Sequence, residues 1–313
     1  MAQLRRNAGA DGPRPRLGIA GEVTVIGALV AAVGQVEWSG LVLGTDPLRL
    51  RSLEGWEELP DLDDASVLYS GRHGSAVGPL LAQSRTVTAE VIVRVSADQV
   101  GATVAALNAA TGVRTDEQPL VVWLDSRGPL LAYGRVIRRR LPVDRAYRVG
   151  TIVGVTLQWL CSDPRRYELA EQVAVTGLPQ AESGLTFPLT WPLDWGTPAV
   201  PGSVDVVNAG TAPSSPTIEF RGPTDRPSCV RLSDGARLEY DVTLAASETL
   251  TIDTAAGSVL LNGADRLYTA TARSVPEEWF VLEPGSTDLA YRAAPGSTDP
   301  AATMTVRWRS AHW

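Results

Sequence analysis

The 313-residue chain contains no lysine, so all 28 of its basic residues are arginine. A Walker-type phosphate lysine, a Schiff-base amine and a kinase-type lysine are therefore excluded at once. Cysteine is scarce as well: Cys161 and Cys229 stand alone, far from the spacing of a CxxC redox pair or a zinc knuckle. They read as two small buried thiols rather than a disulfide. His73 and His312 are the only histidines, and neither has a His or Cys neighbour at ligand spacing, so no zinc site or Ser-His-Asp triad is signalled. No GxSxG elbow occurs, and Gly71, Gly74 and Gly78 do not match a dinucleotide fingerprint. The net charge of −7 argues against a general nucleic-acid binder, and with it any specific nucleic-acid partner. The most apolar run, Val23–Val33, is far too short to cross a bilayer. Remote arginines (Arg5, Arg6) and the abutting Glu22 fit a signal peptide poorly, so the run reads as a strand behind a flexible Arg/Pro/Gly arm.

What is present is ordinary for a globular chain: 44% apolar and 20% charged residues, with enough length for two cores. The organising stretch is Val149–Tyr167, in which Thr151, Val153, Val155, Leu157, Trp159 and Cys161 alternate onto one face before Ser162-Asp163-Pro164 ends the strand. Ahead of it, a strand is expected around Gln35–Leu43 and a long irregular stretch over Gly44–Leu81, of the kind that is functional or ordered by a partner. An amphipathic strand follows over Arg85–Val95, then a capping box with Ser96 as N-cap and Gln99 at N3. The helix should run to about Thr111, with Val100, Val104 and Leu107 as its apolar stripe and Gly112 as a left-handed C-cap. Strands over Pro119–Leu124 and Leu130–Arg140 complete an α+β set.

Residues 168–202 read as a bridge rich in Pro and Trp, with Trp191 and Trp195 packing back on a surface. Beyond Ser203 come short strands with frequent turns, the pattern of a β-sandwich. Examples are Pro216–Arg221, Arg237–Val242, Thr249–Asp253, Ser258–Leu261 before the Asn262-Gly263 turn, Glu278–Leu282 and Thr303–Arg309. The repeated Pro-Gly-Ser-Thr-Asp at 284–288 and 295–299 reads as two similar loops around one strand. The fold class is thus mainly β: an α+β N-terminal domain with one helix, then a sandwich. The expected division is an N-terminal arm and leading strand over 1–34, a domain over 35–167, the bridge over 168–202, and the sandwich over 203–313.

Local chemistry is sparse. Asp61-Leu62-Asp63-Asp64 opens like a calcium loop, but Ala65, Ser66 and Arg72 occupy positions that the loop reserves for ligands and glycine. Glu277 and Glu278 would face opposite sides of a strand and so do not form a glycosidase pair. The strongest charge features are a basic run, Arg135, Arg138, Arg139, Arg140, Arg145 and Arg148, and an acidic loop with Glu54, Glu57, Glu58, Asp61, Asp63 and Asp64. Opposite patches on one chain suit head-to-tail contacts between copies, which marks Arg135, Arg138, Arg140, Asp61, Asp63 and Asp64 as candidate subunit-interface residues. No catalytic, cofactor-binding or metal-binding residue is identified.

Several segments, taken in order, resemble the distal tail (Dit) proteins of long-tailed phages, particularly those infecting high-GC actinobacteria. They are Val36–Gly44, Arg49–Leu59, Arg72–Gly78, Arg138–Gly150, Gln158–Tyr167, Asn208–Pro216 and Trp279–Gly285. The resemblance implies a ring-forming N-terminal domain with a β-hairpin and a helix, and a galectin-like jelly roll at the C-terminus. It implies a non-enzymatic structural virion protein, assembled in the host cytoplasm as a homo-hexameric ring at the tail tip. Its partners would be the major tail tube protein, the tape measure protein and the hub or receptor-binding proteins, with no cofactor and no membrane. Two rival readings are a carbohydrate-binding module that recognises host cell-wall glycan and, less favoured by the residue inventory, a cell-wall hydrolase. A galectin-like outline does not by itself confer sugar binding.

Overall fold

A computed structural model of the protein describes residues 25–181 and 199–313. The arm up to residue 24 and the Trp191–Trp195 segment lie outside these residues. Two compact units are present. Of the described residues, the first comprises 25–56, 86–125 and 133–162; the second comprises 57–85, 126–132, 163–181 and 199–313.

The first unit is built on a run of strands in the order Leu41–Leu43, Gln35–Trp38, Gln118–Trp123, Leu130–Arg140, Thr151–Cys161, Arg85–Arg94, Leu48–Glu54. Alternation in Arg85–Arg94 buries Val87, Ala89, Val91 and Val93 on one side, as a period of two requires. The helix, Val100–Ala110, buries Val100, Val104, Leu107 and Ala110. Trp38 joins helix to sheet: its indole N–H donates to the Ala110 carbonyl at 2.9 Å, and its ring meets Trp159 edge-on at 5.7 Å. Such an aromatic pair adds about 0.5–1.5 kcal/mol beyond the area it buries.

Several local expectations are corrected. The capping box does not form: Gln99 occupies the N-cap position in a helical conformation with no side-chain cap. At the other end Thr111, not Gly112, closes the helix, its N–H and hydroxyl both reaching the Leu107 carbonyl. The apolar run expected as a leading strand is, over its described part, a chain of turns. It is tied down by the buried Glu37 carboxylate, which accepts the Gly27 and Leu29 N–H groups at 3.4 and 2.9 Å. In Thr151–Cys161 the alternation slips by one. Ile152 is buried and Val153 is 49% exposed, because Gly154 at φ +77° inserts a left-handed residue that resets the phase before Val155.

The second unit is the sandwich. One sheet has the order Gln172–Gly177, Thr303–Trp308, Thr217–Arg221, Thr249–Asp253, Ser258–Leu261, Ala264–Asp265; the other has Ser203–Asn208, Gly285–Arg292, Ser228–Arg231, Arg237–Glu239. Between them lie Ile218, Phe220, Leu238, Tyr240, Leu250, Ile252, Leu289, Tyr291, Met304 and Val306, with Phe220 stacked on Tyr291 at 5.4 Å. Residues 172–177, read from the sequence as bridge, are an edge strand of the larger sheet. Residues 278–282 are not a strand: Glu277–Trp279 is a turn of 3₁₀ helix. The first Pro-Gly-Ser-Thr-Asp copy runs into the strand Gly285–Arg292, so only the second is a loop. Arg166–Glu168 pairs on one side with Leu130 and Leu131 and on the other with Ala311 and His312.

Candidate assembly surfaces

In the first unit the basic run lies along Leu130–Arg140 and the hairpin it forms with Thr151–Cys161. Directly opposed residues share a face, so the register fixes where each arginine stands. Arg135 opposes Leu160, Arg138 opposes Gln158 and Arg140 opposes Thr156, all on the outer face. Simple alternation would have put Arg135 on the other side from Arg138 and Arg140. The register shift between Val136 and Arg138 leaves Ile137 unmatched and brings Arg135 onto their face. Arg139 opposes the buried Leu157 instead. It reaches the C-terminal end of the helix, donating to Thr111 Oγ1 at 2.9 Å and towards the Asn108 and Thr111 carbonyls, a position where the helix dipole favours a cation. The side chains of Arg135, Arg138 and Arg140 are exposed and make no hydrogen bond or ion pair among the described residues. Beside them Ile137, Val143, Val149 and Val153 are exposed apolar residues of the same hairpin.

The hairpin is shaped by Gly150. It sits at φ +88° and closes the 3₁₀ turn Ala146–Val149, while its carbonyl accepts the Val95 N–H at 2.9 Å. A Cβ there would lie 2.0 Å from the Val95 carbonyl oxygen, so no other residue fits without backbone movement.

In the second unit the stretch expected to be irregular contains a two-stranded ribbon. Leu62–Asp64 pairs with Leu80–Ala82, and Val67–Leu68 pairs with Ser75–Ala76. Its tip is tightened by the Tyr69 N–H to Gly74 carbonyl bond at 3.1 Å and by Arg72 stacked over Tyr69 at 3.6 Å. Leu59, Leu62, Val67, Leu68, Tyr69, Val77, Leu80 and Leu81 are all exposed, Leu68 at 83% and Val77 at 90%. Asp61 and Asp63 stand on the same ribbon, their carboxylates without a hydrogen-bonded or ionic partner among the described residues. Asp64 is engaged locally, accepting from the Ser66 N–H at 3.0 Å and the Ser66 hydroxyl. The base of the ribbon is anchored by Arg85, 1% exposed, which donates to the Glu58 and Pro164 carbonyls at 2.7 and 2.8 Å. Arg166 strengthens it by donating to Glu57 at 2.8 Å and to the Trp313 carbonyl.

The structure thus places the six candidate residues on two exposed hairpins, three on each, one acidic and one basic. The apolar residues of the ribbon were not singled out in the sequence; their signal was a set of large aliphatic residues within a turn-rich stretch. Neither histidine has catalytic company: His73 is exposed at the ribbon tip, and His312 faces Glu168 at 3.6 Å. Among the described residues no group of three His, Cys, Asp or Glu side chains could hold a metal ion, and no helix is long and apolar enough to cross a membrane.

Comparison with known proteins bears on the fold. Residues 209–312 match the family model described as the siphovirus-type tail component, C-terminal domain. No curated protein matches the chain. Among solved structures, the Dit protein of phage SPP1, titled a paradigm of hub adsorption apparatus in phages that infect Gram-positive bacteria, superposes with a TM-score of 0.60 at 17% identity. That match covers 88% of this chain and 97% of the other. A chain of the phage P2 baseplate in its activated conformation with calcium gives a TM-score of 0.50 at 10% identity, covering 87% of this chain and 96% of that one. At such identities the likeness is one of fold.

Proposed function

Because residues 209–312 match the family model of the siphovirus-type tail component, C-terminal domain, we propose that this chain is a distal tail protein, a structural component of the tail tip of a long-tailed phage. The observation that carries the reading is the pair of exposed hairpins: an acidic, apolar ribbon and a basic, apolar hairpin on one chain. A two-stranded ribbon is marginally stable alone in water, and a contiguous exposed apolar patch marks an interaction site. The two surfaces carry opposite charge. They suit a head-to-tail contact, which closes into a ring when the rotation is right. In this reading Asp61 and Asp63 of one copy face Arg135, Arg138 and Arg140 of the next, with charge setting register and partner choice and the apolar residues supplying most of the free energy.

The ring, hexameric as in the resemblance noted from the sequence, joins the tail tube to the hub and adsorption proteins. It works by geometry alone, without catalysis, and is assembled in the host cytoplasm before it becomes part of the virion. The domain over 35–167 builds the ring and the sandwich over 203–313 lies towards its periphery. Mass photometry and negative-stain images of the full chain test this: a closed ring of about six copies with a central channel is expected. A monomer at high protein concentration and low salt would overturn it.

A further inference from the structure

The smaller sheet of the sandwich carries a polar cavity on its outer face that the assembly reading does not use. The register sets Arg292, Ser228 and Glu239 side by side across three strands, while Cys229, Leu238 and Tyr291 turn into the core. Ser228 is the small residue of that row, so the surface dips there. Arg237 follows two residues along on the same face. Arg226 enters from the chain just ahead of Ser228. Arg273 comes from a segment whose backbone runs beside Arg237–Glu239, with Thr271 N–H to Glu239 carbonyl and Val275 N–H to Arg237 carbonyl bonds of 2.9 Å each. Together with the wall at 293–295 they enclose about 180 Å³.

Four guanidinium groups line this space against a single carboxylate. Glu239 is almost fully buried. It accepts from Arg273 at 2.7 Å and Thr271 at 3.1 Å through one oxygen, and lies 3.6 Å from Arg237 through the other. Arg226 pairs with Asp241, which is exposed, at 3.2 Å. Arg292 has no carboxylate partner among the described residues. One of its nitrogens instead donates to the Gly202 and Tyr291 carbonyls at 2.8 and 2.7 Å and to Pro201 at 3.4 Å, which fixes the guanidinium in place. A chain of net charge −7 thus concentrates positive charge in one concave site, where the field is focused.

We propose that this cavity binds an oxyanion, a phosphate monoester or a carboxylate, carried on a small polyol or sugar. Converging arginines supply the planar donor forks that such oxyanions accept. The volume holds roughly six water-sized groups, more than a bare oxyanion fills. The second oxygen of Glu239 and the Ser228 hydroxyl offer acceptors for the hydroxyls of an attached polyol. The proposal stands apart from the ring reading, since the ligand would bind a monomer equally well.

Calorimetric titration of the full chain at low ionic strength, with glucose 1-phosphate, glucuronate, inorganic phosphate and glucose as separate probes, tests it. Both sugar-linked anions should bind, glucose should not, and added salt should weaken binding. Arg273→Gln, at a solvent-exposed side chain, should weaken binding about tenfold or more, and Arg226→Gln should act in the same direction. Glu239→Gln should tighten it, because the repelling carboxylate is gone and two arginines are released. Thermal melts establish that each variant is folded before it is titrated. No binding of either sugar-linked anion at up to ~10 mM overturns the proposal. So does binding that folded Arg273→Gln and Arg226→Gln proteins leave unchanged, or binding of inorganic phosphate that excludes both sugar-linked forms.

Discussion

The double replacement Leu68→Asp and Val77→Asp on the ribbon separates assembly from folding. In the single chain both side chains are almost wholly in solvent, 83% and 90% exposed, so each change should alter the stability of the fold by no more than about 0.5 kcal/mol. If the ribbon is covered by a neighbouring copy, each side chain loses the transfer free energy of burial, about 1.5–3 kcal/mol for a residue of this size. The pair therefore weakens each subunit contact by about 3–6 kcal/mol, or roughly 10²–10⁴-fold in the association constant. The introduced carboxylates add a desolvation cost on top, so this is a lower bound. Sedimentation velocity or mass photometry of wild type and variant at matched concentrations reads the association, and a thermal melt of the dissociated protein reads the fold. A ring that persists in the variant at the same concentration would refute the argument. So would a variant that loses its ring only because the protomer itself melts several degrees earlier.

Four further outcomes are expected. Gly154→Ala should cost about 1–2 kcal/mol for its left-handed backbone, lowering Tm by roughly 2–8 °C, since only Pro142 lies near the new methyl; Gly150→Ala should cost clearly more, because the Val95 carbonyl blocks it. Leu107→Ala, in the buried helix stripe, should destabilise by about 2–5 kcal/mol in a denaturant titration. Burial opposes ionisation of Glu239, but hydrogen bonds from Arg273 and Thr271 and the charges of Arg273 and Arg237 overcome it and hold the carboxyl below its ordinary value of 4.5. Its contribution to stability is thus present above that value and lost as pH falls through the folded-state value; Tm measured from pH ~6 to ~3 should fall less steeply in Glu239→Gln than in wild type. The Cys229 thiol, pushed up to about 12 by burial, should resist a thiol reagent at pH ~8 in the native protein and react on unfolding.

The sequence was most legible where one face of an element is buried and the period is unbroken. Arg85–Arg94, Thr249–Asp253, Ser258–Leu261 and the helix stripe were all readable in this way. It was least legible where one residue resets the pattern. Gly154 turns Val153 outward, and the shift at Ile137 turns Arg135 onto the face of Arg138 and Arg140; neither shift is visible in a strict alternation. The helix start misled because Ser96 and Gln99 have the right spacing for a capping box, yet the helix begins at Val100, one residue beyond Gln99. The interleaving of chain segments was also hidden. Segments 57–85 and 126–132 belong to the unit that contains the sandwich, through tertiary links such as Arg85 to the Pro164 carbonyl, Arg166 to Glu57 and the pairing of Arg166–Glu168 with Leu130 and Leu131. The arginine-lined cavity draws on four separate stretches, so no local spacing could have announced it.

The absence of lysine, first a means of excluding lysine-dependent chemistry, also has structural meaning. Arg85 bridges two backbone carbonyls at the base of the ribbon, Arg139 serves three acceptors at the end of the helix, and Arg292 gathers three carbonyls beside the cavity. Arg85 makes its bridge through two different nitrogens held in one plane, which a guanidinium supplies and a compact, strongly hydrated ammonium does not. A guanidinium also stays charged when buried, so these links do not weaken by deprotonation at neutral pH. The side chains of Arg135, Arg138 and Arg140 are different: they hold no partner among the described residues and keep their donors available. In the proposed ring, where the chain folds and then joins copies of itself, one side chain is used in two ways. Where the donors are spent inside, arginine fixes the framework that presents the hairpins. Where they are left unspent, at Arg135, Arg138 and Arg140, the same group is the one that the proposed ring sets against Asp61 and Asp63 of another copy.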